Sequence, residues 1–306
     1  MNTRALRSDL FLLLTACIWG FAFVAQRKGM NYMGPFTYNG IRFLLGSLSL
    51  LPLILFRRQK ALPGTALKAA LFVRSSFIAG LCLFIAASLQ QIGILYTTEG
   101  HSGFITGTYV VLTPIFGIFL GRKTGIPTWI GAGFTLTGLY FLSVAGAMGR
   151  INPGDLITLV SAVFWTLHIL VIDRLVRQID PVMLSSGQFA WCALFSLASA
   201  LCIGLGLPAG PITEQFSLAG VYGGIIPLLY GGLCSVGIAY TLQVAAQKDA
   251  PPAHATIILC LEGVFAAIGG LIFSGNELGR FTLLGFILMF CGMFSTQWEI
   301  IRGKTG

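Results

Sequence analysis

Four ionisable side chains fall well inside long apolar stretches of this 306-residue sequence: Arg42, Arg74, His168 and Glu262. An ion in hydrocarbon is costly, so such residues face a cavity or a partner and mark pathways for solutes and protons. Arg42 lies about two turns into its stretch, with Tyr38 and Asn39 at i−4 and i−3 on a shared helical face. A guanidinium holds a carboxylate bidentately, and a buried carboxylate such as Glu262 can bind an amine or a proton. Together they suit a zwitterionic or carboxylate-bearing solute. They can equally pair with each other, or with backbone carbonyls, and fix helix packing. Histidine titrates near neutrality when unperturbed, which makes His168 a second candidate proton carrier. A lone intramembrane histidine can also simply hydrogen-bond a neighbouring helix. Arg74 sits close to the end of its stretch and reads as snorkelling to headgroups.

Aromatic and amide side chains extend this set. Trp19, Phe23 and Gln26 share one helical face at i, i+4 and i+7, and Trp165 with His168 forms a similar face later in the chain. Both tryptophans fall in mid-stretch, away from the interfacial belt where aromatics usually gather, so they read as walls of a cavity. Tyr240, Gln243 and Gln247 make another polar face, and Gln90 and Tyr109 can join it from two further stretches. The expected substrate-binding set is therefore Trp19, Gln26, Tyr38, Arg42, Gln90, Tyr109, Trp165, His168, Gln188, Tyr240, Gln243 and Glu262. Glu262 and His168 are the expected proton-coupling residues. No P-loop, metal-ligand spacing or dinucleotide motif occurs, so no catalytic residue, cofactor or metal is expected.

The elements that must position these residues follow from hydropathy. The chain is 56% hydrophobic and 9% charged, with mean hydropathy +0.85, whereas a soluble domain carries about 25% charged residues. Unbroken apolar runs such as 10–25 and 283–294 exclude the alternation of a β-barrel. Ten spans are expected, over 9–26, 35–56, 70–94, 101–120, 127–146, 154–173, 182–206, 217–246, 252–274 and 281–301. Pro114 and Pro227 fall inside two of them and kink the helix, which makes them candidate hinges. The opening segment has Arg4 and Arg7 before an apolar run, like a signal peptide, but its length reads as an uncleaved first helix. Seven cysteines scattered through apolar segments are neither a disulfide framework nor a metal site.

The net charge of +9 sits in short loops, where it sets topology, and no basic stripe suggests nucleic acid. With the N-terminus inside, Arg4, Arg7, Arg57, Arg58, Lys60, Lys68, Arg122, Lys123, Arg174, Arg177, Lys248, Arg302 and Lys304 fall on the inner side. Arg27, Lys28, Arg150 and Arg280 fall outside. Both termini are therefore expected in the cytoplasm. The sequence also repeats. Asp9, Ala16, Trp19, Pro35 and Phe43 map onto Asp155, Ala162, Trp165, Pro181 and Phe189 at an offset of 146. Gln90 and His101 map onto Gln243 and His254 at 153. Five spans per copy is odd, so residues 1–150 and 151–306 are expected to be two inverted five-helix repeats with a midplane site between them. Gln188 stands where the first copy has Arg42, so the charge is asymmetric and an asymmetric solute can be held.

This pattern resembles the drug/metabolite transporter superfamily and within it the EamA family. The resemblance is carried by Thr15-Ala-Cys-Ile-Trp-Gly-Phe-Ala-Phe23, Arg42-Phe-Leu-Leu45, Leu112-Thr-Pro-Ile-Phe116 and Leu261-Glu-Gly-Val-Phe265. Where the family usually has Glu-Pro-Val, this chain has Gly263. The resemblance implies a basket-like all-α bundle around a central cavity, in a bacterial inner membrane. It implies alternating-access secondary transport of a small, amino-acid-like or aromatic metabolite, commonly outward, by a monomer and with protons as possible coupling ions. Uptake or exchange is the alternative direction. Two rivals of another class are a non-transporting receptor and an intramembrane serine protease. Gly100-His101-Ser102-Gly103 matches the rhomboid form, with Ser102 as nucleophile and His168 or His254 as base.

Overall fold

Backbone amides in hydrocarbon have no water to bond, so a spanning segment must satisfy them internally. The computed structural model describes residues 3–58, 66–97, 99–143, 153–210, 212–214, 216–274 and 279–301, and every regular element among them is helical. Lys60, Arg150, Arg302, Lys304 and the junction of the two expected repeats lie outside the described residues.

The first half comprises α1 (Thr3–Gly29), α2 (Pro35–Ser49), α3 (Leu51–Arg58), α4 (Ala66–Tyr96), α5 (Glu99–Gly107), α6 (Tyr109–Phe119) and α7 (Ile126–Ser143). The second comprises α8 (Pro153–Leu175), α9 (Pro181–Gly204), α10 (Leu218–Gly223), α11 (Ile225–Leu229), a π-helix π1 (Tyr230–Tyr240), α12 (Thr241–Ala246), α13 (Pro252–Leu259), α14 (Glu262–Ser274) and α15 (Arg280–Ile301). Seven stretches are long and apolar enough to cross a membrane: 3–29, 35–56, 69–96, 153–175, 181–204, 225–246 and 252–269. Ile105–Phe119 and Leu283–Ser295 are shorter apolar helices. The chain is a multi-pass membrane protein.

Proline starts α2, α9 and α13, where its missing N–H would be unpaired in any case. The α2 start is also capped from afar. The Glu214 carboxylate accepts from Phe36 N (2.8 Å), Thr37 N (3.0 Å) and Thr37 Oγ1 (2.6 Å), a favourable anion position at a helix N-terminus. Several expected spans are discontinuous. One breaks between α5 and α6 at Thr108, another between α13 and α14 at Cys260 and Leu261, and the expected span 217–246 contains the π-helix. Irregular backbone at membrane depth is tolerated where it is buried in protein or lines a cavity.

Helices α7 and α15, α4 and α8, α2 and α9, α4 and α9, and α1 and α14 pack most extensively, and π1 lies against both α1 and α2. Glycine sets the π1–α2 approach. A Cβ on Gly231 would lie 2.7 Å from Tyr38 Oη and 3.5 Å from Arg42 Cδ. Any larger residue there would push π1 off the face that carries Arg42.

Candidate functional site

Around the breaks in α5–α6 and α13–α14 the polar residues converge. A narrow cavity of about 30 Å³ is lined by Trp19, Phe23 and Gln26 of α1, Arg42 of α2, Gln90 of α4 and Thr106 and Tyr109 of α5 and α6. Trp165 and Ile169 of α8, Ser235 and Tyr240 of π1, Gln243 of α12, Leu259 of α13 and Glu262 of α14 complete it. This volume admits a water or two and no metabolite.

Arg42 is 2% exposed. Its Nε donates to Asn39 Oδ1 at 2.9 Å, while Asn39 Nδ2 donates to Ala87 O at 3.2 Å. Its guanidinium lies 5.5 Å from the Tyr38 ring centroid and 4.9 Å from that of Phe43, within cation–π range. Tyr38 itself donates to Pro227 O at 3.1 Å. Asn39 and the two rings thus set the direction of the guanidinium and leave its outer nitrogens to the cavity.

Glu262 is 5% exposed and accepts from Tyr109 Oη at 3.2 Å. Among the described residues no ion pair joins it to Arg42. The alternative in which the two charges neutralise each other is not what the structure adopts. Beside them Cys260 Sγ donates to Gly107 O at 3.4 Å, and both contacts join residues 153 positions apart.

The aromatic wall is a three-ring arrangement. Tyr240 lies 4.5 Å from Trp19 and 6.0 Å from Trp165, centroid to centroid, and so packs against both tryptophans. Trp19 Nε1 donates to Ser235 O at 3.2 Å. Trp165 Nε1, Gln26 Oε1 and Gln243 Oε1 have no hydrogen-bond partner among the described residues. Gln90 Nε2 donates to Thr106 Oγ1 at 3.0 Å, and Gln243 Nε2 to Gln247 Oε1 at 2.7 Å. The cavity therefore offers one fixed cation, one carboxyl, a free indole N–H and two free amide oxygens among aromatic faces.

Three expected site residues are placed elsewhere. His168 and Gln188 bond each other at 2.8 Å, fully buried behind Trp165 and Tyr240, and neither lines the cavity. Tyr38 supports Arg42 from behind. Thr106, Ile169, Ser235 and Leu259 line the cavity without having been singled out in the sequence. The repeat offset could have found Ile169, onto which Phe23 maps at 146, and it pairs Thr106 with Leu259 at 153. Ser102 is buried without a hydrogen-bond partner among the described residues, and His254 bonds Asp9 at 2.7 Å. The serine–histidine contact of the protease reading is thus not made by His168 or His254.

A second, wider cavity of about 490 Å³ has a separate lining. It is lined by Thr113, Pro114 and Gly117 of α6, Gly121 to Thr124, Leu170 and Arg177, and residues 249–253. At its rim Arg122 and Arg177 both pair with the buried Asp173 carboxylate.

Comparison with known proteins agrees with this architecture. The EamA-like transporter family profile matches the chain twice, over residues 6–144 and 152–297. An Archaeoglobus fulgidus protein named "Uncharacterized transporter" is 31% identical over 266 residues, covering 87% of this chain and 77% of that protein. The Bacillus subtilis "Uncharacterized transporter YoaV" is 23% identical, covering 96% and 97%. The Escherichia coli "Uncharacterized inner membrane transporter YedA" is 24% identical, covering 86% and 81%. One solved crystal structure superposes with a TM-score of 0.75 at 17% identity, over 97% of this chain and 99% of the other.

Proposed function

We propose that this chain, which belongs to the EamA-like transporter family, is a proton-coupled secondary transporter that exports a small amino-acid-like or aromatic metabolite across a bacterial inner membrane. The observation that carries this reading is a narrow cavity in which Arg42 and Glu262 are both buried and yet not paired with each other. Two desolvated charges left apart are costly unless a ligand answers them. A zwitterion does so: its carboxylate meets Arg42 and the Trp165 N–H, and its amine meets Glu262 and the free amide oxygens. Trp19, Phe23, Trp165 and Tyr240 then enclose an apolar or aromatic side chain.

The architecture in this reading is ten spans in two inverted repeats, 1–150 and 151–306, with both termini cytoplasmic. Support comes from the two successive profile matches. It comes also from the lining residues, which fall into repeat-related pairs: Trp19 with Trp165, Phe23 with Ile169, Gln90 with Gln243, Thr106 with Leu259 and Tyr109 with Glu262. Helix packing follows the same exchange, for α2 pairs with α9 and α7 with α15, while α4 against α8 answers π1 against α1. Arg42, Gln26, Ser235 and Tyr240 break the pairing and give the cavity its polarity. The small volume supports alternating access in this reading, because a metabolite needs Trp19, Trp165 and Tyr240 to part before it fits. The π-helix, with an uncommon register at a site of strain, is the segment placed to absorb that change. The wide cavity on the Arg122 and Arg177 face gives loading access from the side of the basic loops. Glu262 is the proton site favoured here over His168, because only Glu262 opens onto the cavity.

Purified protein in liposomes, assayed with a panel of radiolabelled amino acids under an imposed pH gradient, tests this. At least one solute should move faster than in empty liposomes, and Glu262→Gln should remove the pH dependence while the protein remains folded. No movement of any solute, or unchanged pH dependence in the variant, would refute transport or coupling respectively.

A further inference from the structure

Glu262 needs a route by which protons reach it, and the linings of the two cavities are one turn of α6 apart. Tyr109 lines the narrow cavity and Thr113 the wide one, and both lie on α6 at i and i+4. On α8 the same boundary falls between Ile169 and Leu170. Thr113 is almost fully buried and its hydroxyl has no hydrogen-bond partner among the described residues. Elsewhere in this molecule Thr15, Thr137, Thr158 and Thr166 each bond back to the carbonyl four residues earlier. Thr113 does not, so its hydroxyl is free for another partner. Pro114 follows it inside α6 and has no N–H for the Val110 carbonyl, which adds an acceptor on the same turn.

The repeat-related path toward the opposite face is different. Tyr109 corresponds to Glu262 at the offset of 153, and Thr113 then corresponds to Ala266, which has no polar side chain. Helix α1 also packs closely on that turn of α14. A Cβ on Gly20 of α1 would lie 2.7 Å from Ala266 N and 2.7 Å from Glu262 O, and it would overlap Phe265 Cβ. Polar groups lead from Glu262 one way, and apolar groups the other.

We propose that Thr113 is the gatekeeper of a one-sided proton route, in which Glu262 exchanges its proton through the Tyr109 hydroxyl and Thr113 with the wide cavity bounded by Arg122, Lys123 and Arg177. The step is a proton relay. Water in the wide cavity bonds Thr113, Tyr109 passes a proton on while receiving another, and the Glu262 carboxyl gains or loses one, with no other bond changed. Charged and titratable groups around Glu262 are Arg42 on α2, Tyr109 on α6, Tyr240 on π1 and Cys260 before α14. Of these, only Tyr109 hydrogen-bonds the carboxyl among the described residues. The route serves the arrangement seen here, in which the proton site communicates with the face from which the solute loads; exchange with the opposite face comes with the alternating-access change. It rests on the reading of Glu262 as the proton-carrying residue.

Infrared spectroscopy on the full-length protein in lipid tests the route without a solute. A carbonyl band of protonated carboxyl that Glu262→Gln removes identifies the group, and its shift after transfer to D2O gives the exchange rate. Thr113→Val should slow that exchange roughly tenfold, the order of effect of losing one hydrogen-bonding relay group, and Thr113→Ser should restore it. Tyr109→Phe should slow it as well and serves if Thr113→Val does not fold. A wild-type rate in Thr113→Val or in Tyr109→Phe would overturn the route and leave Glu262 as the proton site. A spectrum from which Glu262→Gln removes no band would overturn both.

Discussion

Replacing Gly20 by alanine tests how α1 and α14 hold the site together. A Cβ built there would overlap Phe265 Cβ and lie 2.7 Å from both Ala266 N and Glu262 O, where ordinary contact begins at 3.4 Å. Two of these three neighbours are backbone, so no rotamer change relieves them, and α1 must move off α14 by about 0.7 Å. Overpacking of this kind costs about 1–3 kcal/mol, and an immovable neighbour places it in the upper half of that range. Alanine also favours a helix over glycine by about 1 kcal/mol, which would mask part of the loss. Gly133→Ala in α7 is the control, because nothing lies within 4 Å of a Cβ there and the propensity gain is the same. The difference between the two variants should therefore be about 2–3 kcal/mol, with Gly20→Ala the less stable. Reversible unfolding in mixed lipid–detergent micelles, followed by tryptophan fluorescence, measures it. Equal stability of the two variants would show that α1 and α14 do not meet as closely as the geometry requires.

Two further predictions concern polar groups that act through others. Asn39→Leu removes the acceptor of Arg42 Nε and the donor to Ala87 O. The same unfolding measurement should show a loss of about 1–3 kcal/mol from the buried groups left unpaired, and Asn39→Asp should be the milder change because it keeps the acceptor. Asp173 is 1% exposed and pairs with Arg122 and Arg177, which are 36% and 64% exposed. Arg177→Ala should change stability by less than about 0.5 kcal/mol. Asp173→Ala strands two arginines and should cost clearly more, so equal effects of the two substitutions would contradict the pairing.

Membrane class, the approximate helical segments and most of the polar cavity wall are legible in the chain because the bilayer punishes local errors. An apolar run of sufficient length declares a span wherever it packs, and a charge inside one declares a function or a partner because hydrocarbon offers no solvent. That is why Arg42 and Glu262 stand out and do line the cavity. Apolar wall residues such as Ile169 and Leu259 carry no such signal, since lipid-facing and cavity-facing leucine or isoleucine are the same residue to hydropathy.

Helix breaks at Thr108 and Leu261 and the π-register of 230–240 are not declared by hydropathy, because the glycines beside them (Gly107, Gly231, Gly232 and Gly263) permit a break without fixing it and tertiary contacts choose the register. Periodicity gave Tyr38, Asn39 and Arg42 one face, but only packing decided that Asn39 holds the guanidinium, that Tyr38 lies behind it, and that His168 spends its ring nitrogen on Gln188. The amino-acid sequence by itself determined a multi-pass helical membrane protein with two buried charges and a repeated plan, since these depend on transfer from water to lipid residue by residue. The tertiary structure alone decided that the two charges stand apart on one small cavity, and that a larger cavity is lined by Thr113, one turn of α6 from Tyr109. Those facts depend on which faces of distant helices meet.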